Sequence, residues 1–296
     1  MCPSGWTTTG SLADSLDDVR SSARIVREYE GVMPQLVEKQ TLGEGVGLSW
    51  QEIKYEKLTA QAITETTELD NPQQIADSLL TVTPSLVGLE TFITDRVQAR
   101  ISKKGFAKMG QLGQNAIQRQ KDMDGLVLFE SATGTADPGA SVTLASGYIA
   151  AASANITGNT TEPGNPPIRC VLHPVQIKDL YDELVAGVGS YIVSEGLTAR
   201  VFQQGFNLPV AGCEIYPDGN ITIPSSGTYA NDAFGGVFAQ EGIILVQGKA
   251  PRIVEVRNEK RGGGGHHVYH YDEYAYAIRN SAWVYSMLSD ATAPTS

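Results

Sequence analysis

The chain has 296 residues, with 22 Lys and Arg against 33 Asp and Glu, which gives a formal charge of −11 at pH 7. A free-standing nucleic-acid-binding protein is expected to carry excess positive charge, so this balance argues against that class. Charged residues make up only 19% of the chain, below the roughly 25% of typical soluble domains. Such a surface is often covered by other copies, although serine, threonine and asparagine could equally keep a monomer in solution.

The sequence also predicts the compartment of the protein. It has no run of about 18 apolar residues that could span a bilayer, and its polar start lacks the order of a signal peptide. Cys2, Cys170 and Cys213 are too few and too far apart for a disulfide framework or a CxxC-type zinc site. We therefore expect a protein made in a reducing compartment, with no membrane partner.

The N-terminal quarter predicts an arm followed by a hairpin. Residues 1–43 are polar, with one short helical pattern near Val19, and we interpret them as an extended arm. From Val46 apolar and polar residues alternate, and a threonine-rich return segment at 59–67 predicts a bulged, two-stranded hairpin. The large apolar side chains of its first strand are Trp50, Ile53 and Tyr55. A hairpin without a third strand is marginally stable in water, so another surface must support it.

The next segments predict an edge strand and a long helix. Residues 78–89 are rich in β-branched side chains and are broken by Pro84, which favours an edge strand that leads into a turn. Helical spacing of apolar residues from 90 to 123 predicts a long helix with a break at Gly105. Residues 90–124 carry a net charge of +3. Such a helix is typical of a solvated face, but many copies side by side would form a positive surface for a polyanion.

The second half of the chain predicts a mixed architecture. Between residues 131 and 168 the composition turns to Ala, Gly, Ser, Thr and Pro, which marks a domain boundary. The elements predicted in this half are a short helix at 144–154, a strand at 168–172, a helix that begins at Pro174, and strands at 208–216, 220–223, 242–247, 252–257 and 268–287, the last divided near Asn280. This order, without an internal repeat, predicts an α+β fold rather than βαβ repeats.

One group of side chains could carry chemistry. In RGGGGHHVYHYDE, strand alternation would place His266, His270 and Asp272 on one face, where two imidazoles and a carboxylate could bind zinc. Histidines beside four glycines are also typical of a solvated hairpin end, which is the interpretation we favour. A metal-dependent enzyme is therefore the minor alternative, and we predict no cofactor and no catalytic residue.

Four segments occur in an order that is more specific than any one of them. They are TVTPSLVGLETFITDRV (81–97), AIQRQKDMDGLVLF (116–129), CVLHPVQIKDLYDEL (170–184) and VAGCEIYPDGNI (210–221), followed by tyrosine-rich C-terminal strands. In this order, over nearly the whole chain, they resemble the major capsid proteins of tailed bacteriophages, which have the Hong Kong 97 capsid fold.

The resemblance implies an α+β subunit of five parts. These are an N-terminal arm (1–43), an E-loop hairpin (44–75), a P-domain with a long spine helix (76–130), an A-domain (131–250) and P-domain return strands (251–296). In that family the arm and the E-loop lie over neighbouring subunits, so the resemblance places Trp50, Ile53 and Tyr55 at a subunit interface. It also turns the spine helix toward the lumen, where Arg100, Lys103, Lys104 and Lys108 would contact packaged DNA without sequence specificity.

The function implied is that of a structural, non-enzymatic coat protein. Its copies would form the pentamers and hexamers of an icosahedral shell around double-stranded DNA, assembled in the host cytoplasm and found in the virion capsid. Some members carry a long N-terminal scaffolding region for which this chain has no room, so the expected partners are a separate scaffolding protein, if any, and a portal. An encapsulin-like nanocompartment shell, which encloses cargo enzymes, is the closest alternative.

Overall fold

The computed structural model describes most of the chain. The described residues are 28–29, 31–68, 70, 72–96, 104–186, 209–260 and 263–294, without the side chains at 104–109 and 184–186. They divide into two compact units. The described part of the first consists of residues 88–96, 104–117, 252–260 and 263–271, together with Glu28, and the second comprises the remainder.

Helices and strands are mixed along the described chain, as expected for an α+β protein. The helices are α1 (Met33–Leu36), α2 (Lys104–Glu130), α3 (Ser146–Thr157) and α4 (Pro174–Ala186). The strands are β1 (Glu38–Thr41), β2 (Trp50–Tyr55), β3 (Asp77–Val82), β4 (Ser85–Thr94), β5 (Gly134–Thr135), β6 (Ile168–Leu172), β7 (Cys213–Pro217), β8 (Asp232–Ala239), β9 (Ile243–Gln247), β10 (Arg252–Asn258), β11 (Gly265–Ile278) and β12 (Val284–Asp290). None of the helices described is long and apolar enough to cross a membrane.

In the first unit, a helix packs on a small sheet. The first half of β11 pairs antiparallel with β10, with Arg252 opposite Tyr271, and it also pairs with β4. His270 Nε2 donates to the carbonyl of Gly110 on α2 at 3.2 Å. A Cβ at Gly113 would lie 2.4 Å from the His270 ring, so the missing side chain of this glycine lets helix and strand approach closely.

The second unit is built around the sheet β5-β12-β8-β6-β7. A fully buried amide, Gln176 at the start of α4, ties three of its elements together. Its Nε2 donates to the carbonyls of Ala233 at 3.0 Å and Met287 at 3.1 Å, and to Ser289 Oγ at 2.7 Å. The buried side chain is stable in the core because its polar atoms are bonded.

A second sheet and a separate hairpin complete this unit. β1 pairs parallel with β9, and β9 pairs antiparallel with the second half of β11. One buried cluster of this unit joins α1, α2 and strands of both sheets, and includes Met33, Leu36, Phe129, Phe238, Ile243 and Tyr274. β2 and β3 form a two-stranded sheet with Trp50 opposite Val82 and Tyr55 opposite Asp77.

Several sequence predictions are confirmed. The strand at 168–172 and the helix that begins at Pro174 are present with the predicted start, and α3 covers the predicted helix at 144–154 almost fully. The strands at 242–247 and 252–257 correspond to β9 and β10. The helical pattern near Val19 lies outside the described residues.

Other predictions are wrong. The return strand of the hairpin is β3, whereas residues 59–67 contain no strand, and the register from β2 to β3 has no bulge. Residues 90–94 belong to β4 and not to the long helix, because their backbone pairs with β11. Gly105 lies inside α2, which continues to Glu130. Residues 220–223 form a loop, and the sequence did not predict β1 or β8.

Candidate assembly surfaces

The two faces of the β2–β3 hairpin have different environments. On one face, Trp50 packs with Leu80 against a cluster that contains Val82, Ile244 and Val246. On the other face the side chains are open to solvent, with Ile53 54% exposed and Tyr55 67% exposed. Leu79, which lies opposite Ile53 in the register, is 57% exposed.

This difference corrects part of the interface prediction. The family resemblance placed Trp50, Ile53 and Tyr55 together at a subunit interface, on a hairpin that was predicted to be bulged. Without a bulge, residues three apart on a strand lie on opposite faces. Trp50 therefore receives part of its burial from its own chain, whereas Ile53 and Tyr55 present the more exposed side chains for a contact with another molecule.

Exposed apolar side chains continue along the hairpin and the loop beside it. Within residues 46–89 the large hydrophobic side chains that are exposed are Val46, Leu48, Ile53, Tyr55, Leu58, Ile63, Ile75, Leu79, Leu86 and Leu89. These are ten of the nineteen exposed large hydrophobic side chains among the described residues. Concentrations of this kind are typical of surfaces that bind another protein.

An arginine fixes the base of the hairpin. Arg279, which follows β11, donates from Nη1 to Glu38 Oε2 at 2.5 Å and from Nη2 to Glu38 Oε1 at 3.1 Å. Its Nε donates to Glu52 Oε2 on β2 at 2.8 Å. The bond from Arg279 is the main reason that the pKa of Glu38 lies below its usual value, and the same bond raises the pKa of Arg279. Both groups are therefore charged at neutral pH.

A glutamate anchors the same face of the hairpin a little further out. Glu162, in the loop after α3, accepts from Lys54 Nζ on β2 and from Asn280 Nδ2, the latter at 2.6 Å. Its backbone carbonyl accepts from Trp283 Nε1 at 2.8 Å. Lys57 Nζ donates to the carbonyl of Thr160 at 2.7 Å. We call the set Glu38, Glu52, Lys54, Glu162 and Arg279 the hairpin clamp.

A polar cavity of about 310 Å³ lies beside the clamp. It is lined by Glu52, Lys54, Ser78, Leu79, Leu80, Glu162, Arg279 and Asn280. The charged groups on its wall are already paired with each other. The charged side chains that line the cavity are therefore not free to bind a ligand.

The basic residues predicted to face DNA are only partly described. Arg100 and Lys103 lie outside the described residues, and for Lys104 and Lys108 the structure describes the helical backbone alone. Lys121, which contributed to the predicted positive charge, is 12% exposed and donates to Asp272 Oδ2 at 3.1 Å. Its Nζ also lies 4.7 Å from the centre of the Tyr274 ring. Lys121 is therefore neutralised inside its own unit.

The histidines of the proposed metal site have separate partners. His266 Nε2 lies 3.7 Å from Asp95 Oδ1, and His270 Nε2 is bonded to the carbonyl of Gly110. Asp272 is bonded to Lys121 and, through Oδ1, to Gln247. Across the part of the chain that the structure describes, no group of three or more His, Cys, Asp or Glu is arranged to hold a metal ion.

Sequence reasoning missed a second apolar surface, on β10. This strand lies at the end of its sheet, and its first six residues are exposed. The exposed fractions are 57% for Ile253, 37% for Val254 and 47% for Val256. Three β-branched apolar residues within four positions were visible in the sequence, but periodicity alone cannot tell a covered strand from an exposed one.

The fold is shared with solved structures of phage particles. A structure from Mycobacterium phage Che8 is 14% identical and matches with a TM-score of 0.69 over 92% of this chain and 96% of that chain. The capsid of cyanophage P-SCSP1u is 13% identical, with a TM-score of 0.66 over 92% of each chain. The capsid of a native GTA particle is 10% identical, with a TM-score of 0.63 over 90% of this chain and 93% of that chain.

No protein-family model and no curated protein matches the sequence. Identities of this size establish the fold alone. The resemblance predicted from the four sequence segments is confirmed at that level, and the mixed α+β class is confirmed with it.

Proposed function

We propose that this chain, which has the fold of phage capsid structures, is a major capsid protein. Its copies would form the pentamers and hexamers of an icosahedral shell around double-stranded DNA, as a structural component of the virion without enzymatic activity. The observation that carries the proposal is the match over more than nine tenths of this chain and of the capsid chain of cyanophage P-SCSP1u. A match of that extent means that the shared fold accounts for most of both chains.

The exposed hairpin supports assembly as the purpose of the fold. A two-stranded sheet with Ile53, Tyr55 and Leu79 open to solvent is only marginally stable in water. A neighbouring copy that covered this face would stabilise it by removing apolar surface from water. The clamp holds the hairpin in place from the opposite face, so the apolar face is presented outward. The hairpin therefore has the features of a preformed contact surface.

The finer assignments are part of the proposal. We assign residues 1–43 to an arm, 44–75 to an E-loop, 76–130 and 251–296 to a P-domain, and 131–250 to an A-domain. Ile53 and Tyr55 contact a neighbouring subunit, and Arg100, Lys103, Lys104 and Lys108 face packaged DNA. A separate scaffolding protein and a portal are the expected partners during assembly in the host cytoplasm.

Assembly is tested by imaging untagged protein expressed in a bacterial host. Negative-stain microscopy and sedimentation should show closed particles, tubes or rings of capsomers. A monodisperse monomer at every salt and protein concentration would contradict the proposal. Mass spectrometry of the particles separates the two shell functions, because a stoichiometric co-purifying enzyme would favour an encapsulin-like compartment over a capsid.

The DNA-facing helix is tested on capsomers. Replacing Lys104 and Lys108 by Glu should weaken DNA binding. The plot of log K against log salt should also become less steep, by about one unit of slope for each phosphate that a lysine no longer neutralises. Lys178→Glu, on an exposed face of α4, is the matched control and should leave the slope unchanged. Equal effects of both variants would show that DNA binding is not specific to α2.

A further inference from the structure

Two carboxyl groups meet in the interior of the second unit. Asp122 on α2 is fully buried, and Asp218 in the turn after β7 is 1% exposed. The two side chains are linked by one residue, Asn220. Asn220 bonds to both, since its backbone N–H donates to Asp218 Oδ1 at 2.8 Å and its side-chain amide donates to Asp122 Oδ2 at 2.9 Å.

The same pair holds the segment at residues 31–36, which we call the arm root. The backbone N–H of Met33 donates to Asp122 Oδ1 at 2.9 Å, and that of Val32 points at Asp218 Oδ2 at 3.4 Å. These N–H groups stand at the start of α1, where a helix has no internal acceptor for them. The two carboxyl groups are therefore the acceptors on which the arm root depends.

The backbone around Tyr29 and Gly31 lies so close to the carboxyl pair and its turn that only glycine fits at two positions. A Cβ at Gly31 would lie 2.4 Å from the Cβ of Asp122, and a Cβ at Gly219 would lie 2.4 Å from the ring of Tyr29. Two glycines thus allow the backbone before α1 to lie directly on the carboxyl pair. A change in the charge of the pair acts on this backbone without an intervening side chain or solvent layer.

Within the described residues, the donors to the two carboxyls are backbone N–H groups and the Asn220 amide, and none is a lysine or arginine. Two phenol rings lie nearby, that of Tyr29 beside Gly219 and that of Tyr276. Lys121, on the same helix, is bonded to Asp272 and Gln247 instead. Two buried carboxylates bridged by one asparagine cannot both be ionised without a large cost, so we infer that one proton is retained between them.

We propose that Asp122 and Asp218 share one proton and form a latch that holds the arm root when the proton is bound and loosens it when the proton leaves. The latch lies within one subunit, so it does not rest on the proposed function. It gives the chain a pH-dependent control of the segment at residues 31–36. In a shell, it would act on the arm of every copy at once.

The direction of the pH effect follows from the pair. Burial, the largest cause, raises the pKa of Asp218 from its usual 3.8 to about 7 in the closed latch. A released carboxyl returns to its usual pKa, so the closed state binds the proton more strongly than the open state. Opening should therefore rise about tenfold for each pH unit between about 5 and 7, or roughly 100-fold overall, and then level off.

Hydrogen exchange of the whole chain tests whether opening of the arm root rises with pH. The amides of Val32 and Met33 are followed by mass spectrometry between pH 5 and pH 8, with correction for the intrinsic pH dependence of exchange. Asp218→Asn keeps an acceptor for Asn220 and cannot titrate, so its opening should not vary with pH. Asp122→Asn leaves Asp218 buried and titratable, so in this second variant the pH dependence should persist but shift to lower pH.

Asp232→Asn is the matched control. Asp232 is also fully buried and accepts a backbone N–H, from Ser141 at 2.9 Å, but the group bonded to it is an amide and not a second carboxyl. This variant should keep the wild-type pH dependence at Val32 and Met33. Loss of the slope in all three variants would show a general loss of stability rather than a latch.

A measurement on the unsubstituted protein remains decisive if the asparagine variants do not fold. Infrared spectroscopy of the protonated carboxyl band should show a buried acid that titrates near pH 7. The proposal is overturned if the corrected exchange of the wild-type arm root does not change between pH 5 and 7. It is also overturned if folded Asp218→Asn retains the full slope, or if no carboxyl titrates above pH 5.

Discussion

Arg279 grips both carboxylate oxygens of Glu38, at 2.5 and 3.1 Å, across a separation of 241 residues in the chain. The third donor of the same guanidinium reaches Glu52, so one side chain links β1, the hairpin and the residue that follows β11. A planar guanidinium presents these donors in fixed directions, which lysine cannot do. A single residue therefore links the base of the hairpin to β1 and to the end of β11.

Arg279→Ala should lower the free energy of unfolding by about 2 to 3 kcal/mol, because it leaves Glu38 and Glu52 without their partner in a half-buried site. Urea unfolding of the subunit measures the change. Lys178→Ala removes an exposed pair with Asp182 and should cost less than about 0.5 kcal/mol. Similar losses for the two variants would contradict a special role of the clamp.

The clamp should also give an acid-dependent part of the stability. Arg279 lowers the pKa of Glu38 below its usual value of 4.5. A carboxyl with a depressed pKa stabilises the folded state above its usual pKa, and that contribution is lost as the pH falls through the folded value. The difference in unfolding free energy between wild type and Glu38→Gln should therefore be constant above about pH 5.5 and shrink below pH 4.5. A difference that does not vary with pH would contradict the ion pair.

Two glycines on one helix should respond in opposite ways to alanine. Gly113→Ala would place a Cβ 2.4 Å from the His270 ring and should lower the melting temperature. At Gly110 no described atom lies within 4 Å of the added Cβ, so Gly110→Ala should stabilise the helix by about 0.5 to 1 kcal/mol. Calorimetry of both variants measures the contrast. Stabilisation by both would show that α2 does not pack closely on His270.

Ile53→Asp should weaken assembly while the subunit still folds, because the exposed face of the hairpin would carry a charge into the contact with a neighbouring copy. Sedimentation measures assembly, and circular dichroism measures the fold. Val142→Asp, at a residue that is 45% exposed elsewhere on the second unit, is the control and should assemble normally. Normal particles from Ile53→Asp would remove this residue from the interface.

Trp50→Ala should destabilise the subunit itself, in contrast to Ile53→Asp, which should affect assembly. The Trp50 ring packs in the cluster with Val82, Ile244 and Val246, so its removal should lower the free energy of unfolding by about 1 to 3 kcal/mol. Chemical unfolding of dissociated subunits measures this directly. If Trp50→Ala left subunit stability unchanged but prevented assembly, Trp50 would be assigned to the subunit interface instead.

The sequence predicted correctly the elements whose boundaries are determined by residues close by in the chain. Pro174 begins α4 because its fixed φ suits the first turn and it has no N–H to satisfy. β8 was missed because Gly235 and Gly236 weaken any strand pattern. A Cβ at Gly236 would lie 2.2 Å from the Phe129 ring, so the glycine is explained by a residue more than a hundred positions away.

The same limit applies to the candidate surfaces. Alternation found Ile53 and Tyr55, since a strand with one open face shows this pattern by itself. It could not find the clamp, because Glu38, Glu52 and Arg279 are ordinary surface residue types that gain meaning only from their pairing. The threonine-rich 59–67 segment misled the prediction of the return strand, because alternation does not reveal which partner a strand will choose.

The open hairpin has a cost for the free subunit. Each of β2 and β3 has one neighbour in its described sheet, and the side chains of Ile53 and Leu79 stand beside these unpaired edges. Strands of this kind recruit other chains in unplanned registers. A newly made subunit is therefore most exposed to aggregation while it waits for its neighbours, so the yield of soluble protein should depend on how quickly its copies meet.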